Sequence, residues 1–344
     1  MEDNLFEREF LKLKGKTVAL VYVYEGETTE GFAHYDVWQS DVISEWLVAV
    51  QELNCLPFII DVRTFIQKAM NNTLPIIDYV INLNAGTKHL STLGLVPSVC
   101  GVLSIPCIPC NTSSIITGEN KLISNLVAQA LHLNVPETLA EQSPEGIFRP
   151  LNFGSSRGIQ RGYLEDEPAK EGIYQKFIKG YDVTTPILFN PLSGNLELLP
   201  SVMYCPLDRS VDWFFNEEVK EKRGGYEKRI VHLDEEAGHL FLSLAKALGI
   251  NAYCRIDFRV ACDDLNEFEA LLQQPLPCNR LYFLELNPMP TIKNRINFHN
   301  ALEHLSAQYP LSESFAQYKD FSTSATYNGF ILACSMLAVS TSKR

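Results

Sequence analysis

Two short stretches carry the side chains best suited to chemistry: Cys254-Arg255-Ile256-Asp257-Phe258-Arg259-Val260 and Leu281-Tyr282-Phe283-Leu284-Glu285-Leu286-Asn287-Pro288. Arg255, Asp257 and Arg259 stand at alternate positions of the first, Glu285 and Asn287 at alternate positions of the second. A period of two within a run of apolar residues predicts strands, with these polar groups on one face of each. Laid side by side, the strands would collect an Asp, a Glu and an Asn amide with an arginine beside them. Hard oxygen donors in that number suit Mg²⁺ carrying nucleotide phosphates, because Mg²⁺ keeps several waters and takes only one or two carboxylates. An edge hairpin with a solvated polar face is the competing reading.

The surrounding elements must hold these strands in place. Glu235–Leu248 reads as a helix stopped by Gly249, leading straight into the first strand. The insert between the strands holds a helical stretch, Leu265–Gln273, and Thr291–Tyr309 reads as largely helical. The apolar run Phe330–Val339 predicts a packing helix. Upstream, Gly146–Pro150, Ile173–Ile178, Tyr181–Phe189 and Leu196–Tyr204 read as strands of an antiparallel sheet, with the Gly/Ser loop 152–162 as a lid over a ligand. The charged segment Glu217–Tyr226 reads as a loop.

The first part of the chain alternates strands and helices: strands at 16–24, 56–61, 78–83 and 101–107, with a helix over 36–53 after the first and another over 119–131 beyond the last. Such alternation indicates an α/β domain. The glycines from Gly26 to Gly31 have the spacing of a phosphate-binding loop, but Phe32-Ala33 stand where Lys-Ser/Thr would be needed.

The chain has 344 residues, 46% apolar and 20% charged, enough for two or three domains with cores of their own. Its net charge of −12 without a Lys/Arg run argues against nucleic acid and anionic membranes as partners. No apolar run is long enough to span a bilayer and the N-terminus lacks a signal-peptide core, so a cytoplasmic location is expected. Nine scattered cysteines fit reduced, buried thiols. Cys107-Ile-Pro-Cys110 has redox spacing, but Asn111-Thr-Ser-Ser after it reads as a loop rather than the helix such a pair opens.

The order Gly/Ser loop, Gln175-Lys176-Phe177-Ile178, Asp182, basic loop, Arg255-Ile-Asp257 and Glu285-Leu-Asn287 resembles the ATP-grasp ligases, and within them the D-alanine–D-alanine ligase branch. The resemblance runs from about Lys121 to Ile292, is most specific over Gly249–Phe258 and Tyr282–Asn287, and extends more weakly over the first 115 residues. It implies an N-terminal α/β domain (1–115), a central α+β lid domain (116–204) and a C-terminal α+β domain with the metal site (205–344), gripping ATP between them. It also implies Mg²⁺ ligands at Asp257, Glu285 and Asn287 and a transition-state arginine at Arg255. The adenine site would lie at Lys176 and Ile178, and a ribose acid at Asp182. Ser155, Ser156 and Gly158 would cover the phosphates, Arg149 standing where relatives carry Lys. Lys220 matches the lysine on the γ-phosphate, with Lys222 and Arg223 as alternatives.

Departures from the family pattern fall in the amino-acid-recognising parts. Asn82–Leu90 and Pro288-Met-Pro-Thr291 replace the usual motifs, which points to an acceptor pocket around Asn82–His89 and Pro288–Lys293. The resemblance therefore implies an ATP-dependent carbon–nitrogen ligase, acting on small molecules, other than a D-alanine–D-alanine ligase. It is most similar to the cyanobacterial mycosporine ligases, which join a mono-substituted mycosporine to serine or threonine. A dipeptide ligase and a non-catalytic ATP-binding protein are the alternatives, and the likeness also admits a homodimer.

Overall fold

The computed structural model describes residues 5–23, 40–84, 90–151, 156, 158–164, 171–216, 219, 225–290, 292, 297–308 and 325–341. A strand that is apolar throughout needs cover on both faces, and β1 (Thr17–Tyr22) has it, behind the short helix α1 (Leu5–Leu11). Val18 and Leu20 face one core together with Trp46; Ala19 and Val21 face another with Phe65 and Val96. β1 pairs in parallel with β2 (Leu56–Asp61) and β3 (Tyr79–Leu83), and β3 with β4 (Cys107–Ile108), in the order β2-β1-β3-β4. Helix α2 (Ser40–Glu52) supplies Trp46 to one face, while α3 (Val62–Met70) and α4 (Leu95–Leu103) cover the other.

Two expectations fail in this region. Residues 101–107 were expected as the fourth strand, yet Gly101–Leu103 end α4, which stops at Ser104 in the left-handed region (φ 56). A short apolar run suits a buried helix as well as a strand, and Pro97 in the first turn costs no internal hydrogen bond. Asn111-Thr-Ser-Ser is not a loop but the start of α5 (Thr112–Glu119), Asn111 accepting from the Ser114 N–H at 3.0 Å. Asn120 caps α6 (Lys121–Ala130) in the same way. The redox reading of Cys107 and Cys110 fails on chemistry instead. Contact with Cys100 and burial push the Cys107 thiol up, and burial pushes up Cys110, the opposite of what a reactive thiol needs.

Beyond α6 lie two antiparallel sheets. The smaller contains β5 (Gly146–Pro150), β6 (Gln160–Arg161) and β7 (Gly172–Lys176), ordered β6-β5-β7. The larger is built from β8 (Gly180–Asn190), β9 (Asn195–Leu198), β10 (Ser201–Pro206), β11 (Tyr226–Val231), β12 (Tyr253–Ala261) and β13 (Leu281–Asn287), in the order β11-β10-β8-β12-β13 with β9 also on β8. The single strand expected over 196–204 is split between β9 and β10, because Pro200 has no N–H to give to the ladder. The expected boundary at 204 falls inside β10; the chain passes from the small sheet to the large one at 177–179.

Helix α7 (Glu235–Ala247) enters β12 through Gly249 (φ +75), and α8 (Leu265–Leu271) lies between β12 and β13. Helices α9 (Asn297–Gln308) and α10 (Ala325–Thr341) follow. α10 is apolar on all sides and packs against α2, β8 and β4, so the parallel sheet and the large antiparallel sheet share one core. Among the described residues no helix is long and apolar enough to cross a membrane.

Candidate active site

The register of the large sheet sets Asp257 opposite Thr184 on β8 and Glu285 on β13, with Arg255 opposite Asn287 and Arg259 opposite Asp182. One face of three adjacent strands thus carries the polar row. Asp257 is the centre of it. Its Oδ1 accepts from Thr184 Oγ1 at 2.7 Å and Arg255 Nε at 2.8 Å. Its Oδ2 accepts from Arg255 Nη2 at 2.6 Å and Asn287 Nδ2 at 2.9 Å. Burial disfavours the charge on Arg255, but the Asp257 carboxylate more than restores it, so the arginine's pKa rises.

Glu285 faces a second pair of cations. Its Oε2 lies 2.9 Å from Lys121 Nζ and 3.4 Å from Arg149 Nη2. Both cations are about 95% buried, which places them on the inner faces of α6 and β5. Burial alone would raise the Glu285 pKa; Lys121, then Arg149, reverse this and hold it at about 2. A bulge on β13 makes the arrangement possible. Asp257 pairs with Glu285 while Phe258 pairs with Phe283, leaving Leu284 unpaired. Its carbonyl accepts from Arg149 Nη1 at 3.0 Å and Asn125 Nδ2 at 2.9 Å.

At the other end of the row, Arg259 ties together the crossing between the sheets. It donates to the carbonyls of Ile178 (2.7 Å), Gly180 (2.6 Å) and Trp213 (2.6 Å), and to Asp182 Oδ2 (2.9 Å). Gly180 is required here: at φ +129, a Cβ would sit 2.0 Å from the Val260 carbonyl. The same Asp182 oxygen accepts from the Phe215 N–H at 2.7 Å. Phe215 stacks on Tyr204 with centroids 4.3 Å apart, and the Tyr204 hydroxyl donates to Asn297 Oδ1 at 2.8 Å. Burial raises the Tyr204 pKa to about 12.

Of the expected nucleotide residues, Arg149 lies inside the site. The Ile178 carbonyl and Asp182 border its far end, already bonded to Arg259. Lys176 is exposed at the end of β7. Ser156, in the left-handed region, donates to the Phe215 carbonyl at 3.1 Å, and Gly158 is exposed nearby in sequence. Ser155, Lys220, Lys222 and Arg223 lie outside the described residues, as do 85–89, Thr291 and Lys293 of the expected acceptor pocket.

The donor set can be tested against a metal ion. Among the described residues no three His, Cys, Asp or Glu side chains converge as a metal site. The protein therefore offers two carboxylates, facing each other across the β12–β13 ladder, and an amide whose nitrogen is spent on Asp257. That set fits an ion completing its shell with phosphate oxygens and water, the habit of Mg²⁺.

No protein-family model matches the chain, and no curated protein does. Solved structures do match it. The D-alanine–D-alanine ligase from Bacillus anthracis in complex with ATP is 15% identical, with a TM-score of 0.61 over 95% of this chain and all of that one. The D-alanine–D-alanine ligase from Coxiella burnetii is 12% identical with a TM-score of 0.58 over 96% of each chain. The VanG D-Ala:D-Ser ligase from Enterococcus faecalis is 15% identical with a TM-score of 0.57 over 84% of this chain and 95% of that one. This is the ATP-grasp fold.

Within the ATP-grasp fold, the carboxyl end of β3 meets the segment that follows β13. Asn82, at the carboxyl end of β3, donates to Met289 Sδ at 3.2 Å, and its Oδ1 accepts from the Asn84 N–H at 3.0 Å. The carboxyl edge of a parallel sheet is the usual ligand side of such a sheet. Sequence reasoning missed Lys121, Asn125 and Thr184. Lys121 and Asn125 stand one turn apart on α6, so a shared inward face was readable from spacing, though their partners were not.

Proposed function

We propose that the chain is an ATP-dependent carbon–nitrogen ligase, with ATP as co-substrate and Mg²⁺ as the metal. The supporting observation is the opposition of Asp257, Glu285 and Asn287 to Arg255, Lys121 and Arg149, the last two of them buried, in a fold shared with an ATP-complexed ligase. Asp257, Glu285 and Asn287 would hold the ion, which neutralises charge on the phosphates when bound. Lys121 and Arg149 reach the same place from the facing elements and would orient the terminal phosphate. Ser156 and Gly158, with Ser155 and Lys220, would close over it.

An oxygen of the first substrate attacks the γ-phosphorus; the bond to the β-phosphate oxygen breaks and ADP leaves. The amine of the second substrate then attacks the activated carbon, loses a proton, and expels inorganic phosphate. Arg255 lies beside the metal ligands, where its guanidinium would stabilise the oxyanion formed in that second step. Tight pairing with Asp257 holds it charged and aimed.

For the acceptor we favour the vinylogous acid oxygen of mycosporine–glycine, joined to serine or threonine, with a pocket bordered by Asn82 and Met289. A dipeptide ligase fits the same geometry equally, and a non-catalytic ATP-binding protein would have no use for the metal ligands. A lid within the expected 116–204 domain, a cytoplasmic setting and a homodimer belong to the same reading. Phosphate release from Mg·ATP with a panel of carboxylates and mycosporine–glycine, each with and without mixed amino acids, tests it. Turnover with mycosporine–glycine plus serine or threonine is the expected result; turnover with two amino acids would make it a dipeptide ligase. Failure to bind Mg·ATP would overturn the reading.

A further inference from the structure

Arg149 differs from a lysine at the same place in one respect that the structure makes visible: its charge is a planar fork, so it has to be oriented as well as placed. Both partners of Nη1 are fixed groups. One is the carbonyl of Leu284, the residue the β13 bulge leaves out of register, at 3.0 Å, and the other is Gln175 Oε1 at 3.3 Å. With Nη1 committed, Nη2 is the nitrogen that faces Glu285.

Gln175 is itself held. Its Nε2 donates to Asn125 Oδ1 and to the Pro136 carbonyl, both at 3.1 Å, and Asn125 Nδ2 in turn donates to Leu284 O at 2.9 Å. Gln175 is 1% exposed, Asn125 and Arg149 4% each. Water therefore cannot replace these bonds, and each donor and acceptor has a partner it would be costly to lose. The ring joins β5, β7, α6 and β13, four elements from three layers. Arg149 and Gln175 are diagonal neighbours on β5 and β7, since Gln175 lies opposite Ile147.

We propose that Gln175 and Asn125 are positioning residues for the nucleotide site: they lock the Arg149 guanidinium so that Nη2 points at Glu285 and the terminal phosphate. The role rests on the nucleotide reading above. It is tied to the shape of the guanidinium, since a lysine ammonium is a compact, rotatable point charge that needs no such frame.

The test is a double-mutant cycle on the full chain, read as the dissociation constant for Mg·ATP by calorimetry. Gln175→Met keeps the side chain's length and removes its hydrogen bonds; it should weaken Mg·ATP binding at least tenfold in the otherwise wild-type chain. Combined with Arg149→Lys, the same change should cost less than twofold relative to Arg149→Lys alone. Asn125→Leu should repeat the pattern, and Gln175→Glu, which still accepts from Arg149, should recover part of the loss. Melting curves without nucleotide verify that each variant folds. Equal losses in the two backgrounds would assign Gln175 a merely structural role and overturn the proposal. Absence of Mg·ATP binding by the wild-type protein would overturn the nucleotide reading and this one with it.

Discussion

Asp257 receives both arms of Arg255, through Nε at 2.8 Å and Nη2 at 2.6 Å, from a residue two places before it on the same strand. Neighbours at that spacing share a face, and the pair is enclosed by β8 and β13. Removing the carboxylate charge would leave the guanidinium without its counter-ion in a largely buried setting. Asp257→Asn should lower unfolding free energy by about 3 kcal/mol, the scale for breaking a largely buried pair. It should also reduce ATP-dependent phosphate release by at least about 100-fold, as expected when a ligand of the charge-neutralising ion is lost. Denaturant melts and a phosphate assay read the two effects separately.

Lys121 contributes one of the two cations on Glu285, from the first turn of α6. Lys121→Met should weaken Mg·ATP binding about 10- to 100-fold, on the scale of one or two charge-assisted hydrogen bonds. Calorimetry with Mg·ATP reads this directly, and unchanged affinity would remove Lys121 from the nucleotide site.

Asn82 and Met289 should act on the acceptor and leave the nucleotide alone. Asn82→Ala is expected to raise the acceptor's KM severalfold, by about 1 kcal/mol for one lost hydrogen bond, with the Mg·ATP dissociation constant changed by less than twofold. A parallel change in both constants would place these residues elsewhere in the mechanism.

Glu52 presents a different case. Its Oε2 is buried without a hydrogen-bond partner among the described residues and faces Gly329 of α10, where a Cβ would lie 2.9 Å away. Burial raises its pKa. The folded state therefore holds a proton that the unfolded state has lost, and stability falls as pH climbs from the usual glutamate value through the raised one. Glu52→Gln should remove that slope and stabilise the protein at pH 7 by about 1 kcal/mol, visible as a higher Tm. At pH 4 the variant and the parent should melt together.

Legibility followed the range of the interactions. The polar row on β12 and β13 could be read because alternation within one strand is a local pattern, while the pairing of the two strands is given by the sheet register. The helix ahead of β12 declared itself by the Gly249 that stops it. α4 did not, since nine residues of mixed apolar type satisfy helix and strand alike. Lys121 and Asn125 were silent for another reason: their partners lie on β13, and Asn125 is 159 residues from the carbonyl it holds. The bulge at Leu284 was hidden within an unbroken strand-like run, and only the register with β12 exposes it.

The all-round burial of α10 also governs the order in which the fold can be completed. Asn328 reaches Glu45 on α2 at 3.2 Å, Phe330 meets Phe10 with centroids 5.8 Å apart, and Ser340 bonds the Tyr79 hydroxyl at 2.6 Å. Until residues 325–341 leave the ribosome, the α2 face of the parallel sheet and the back of β8 remain open and apolar. Synthesis from the N-terminus thus yields β12 and β13 before the core that they share with the first sheet is closed. During that interval the nascent chain is a client for whatever shields hydrophobic surface in the cell.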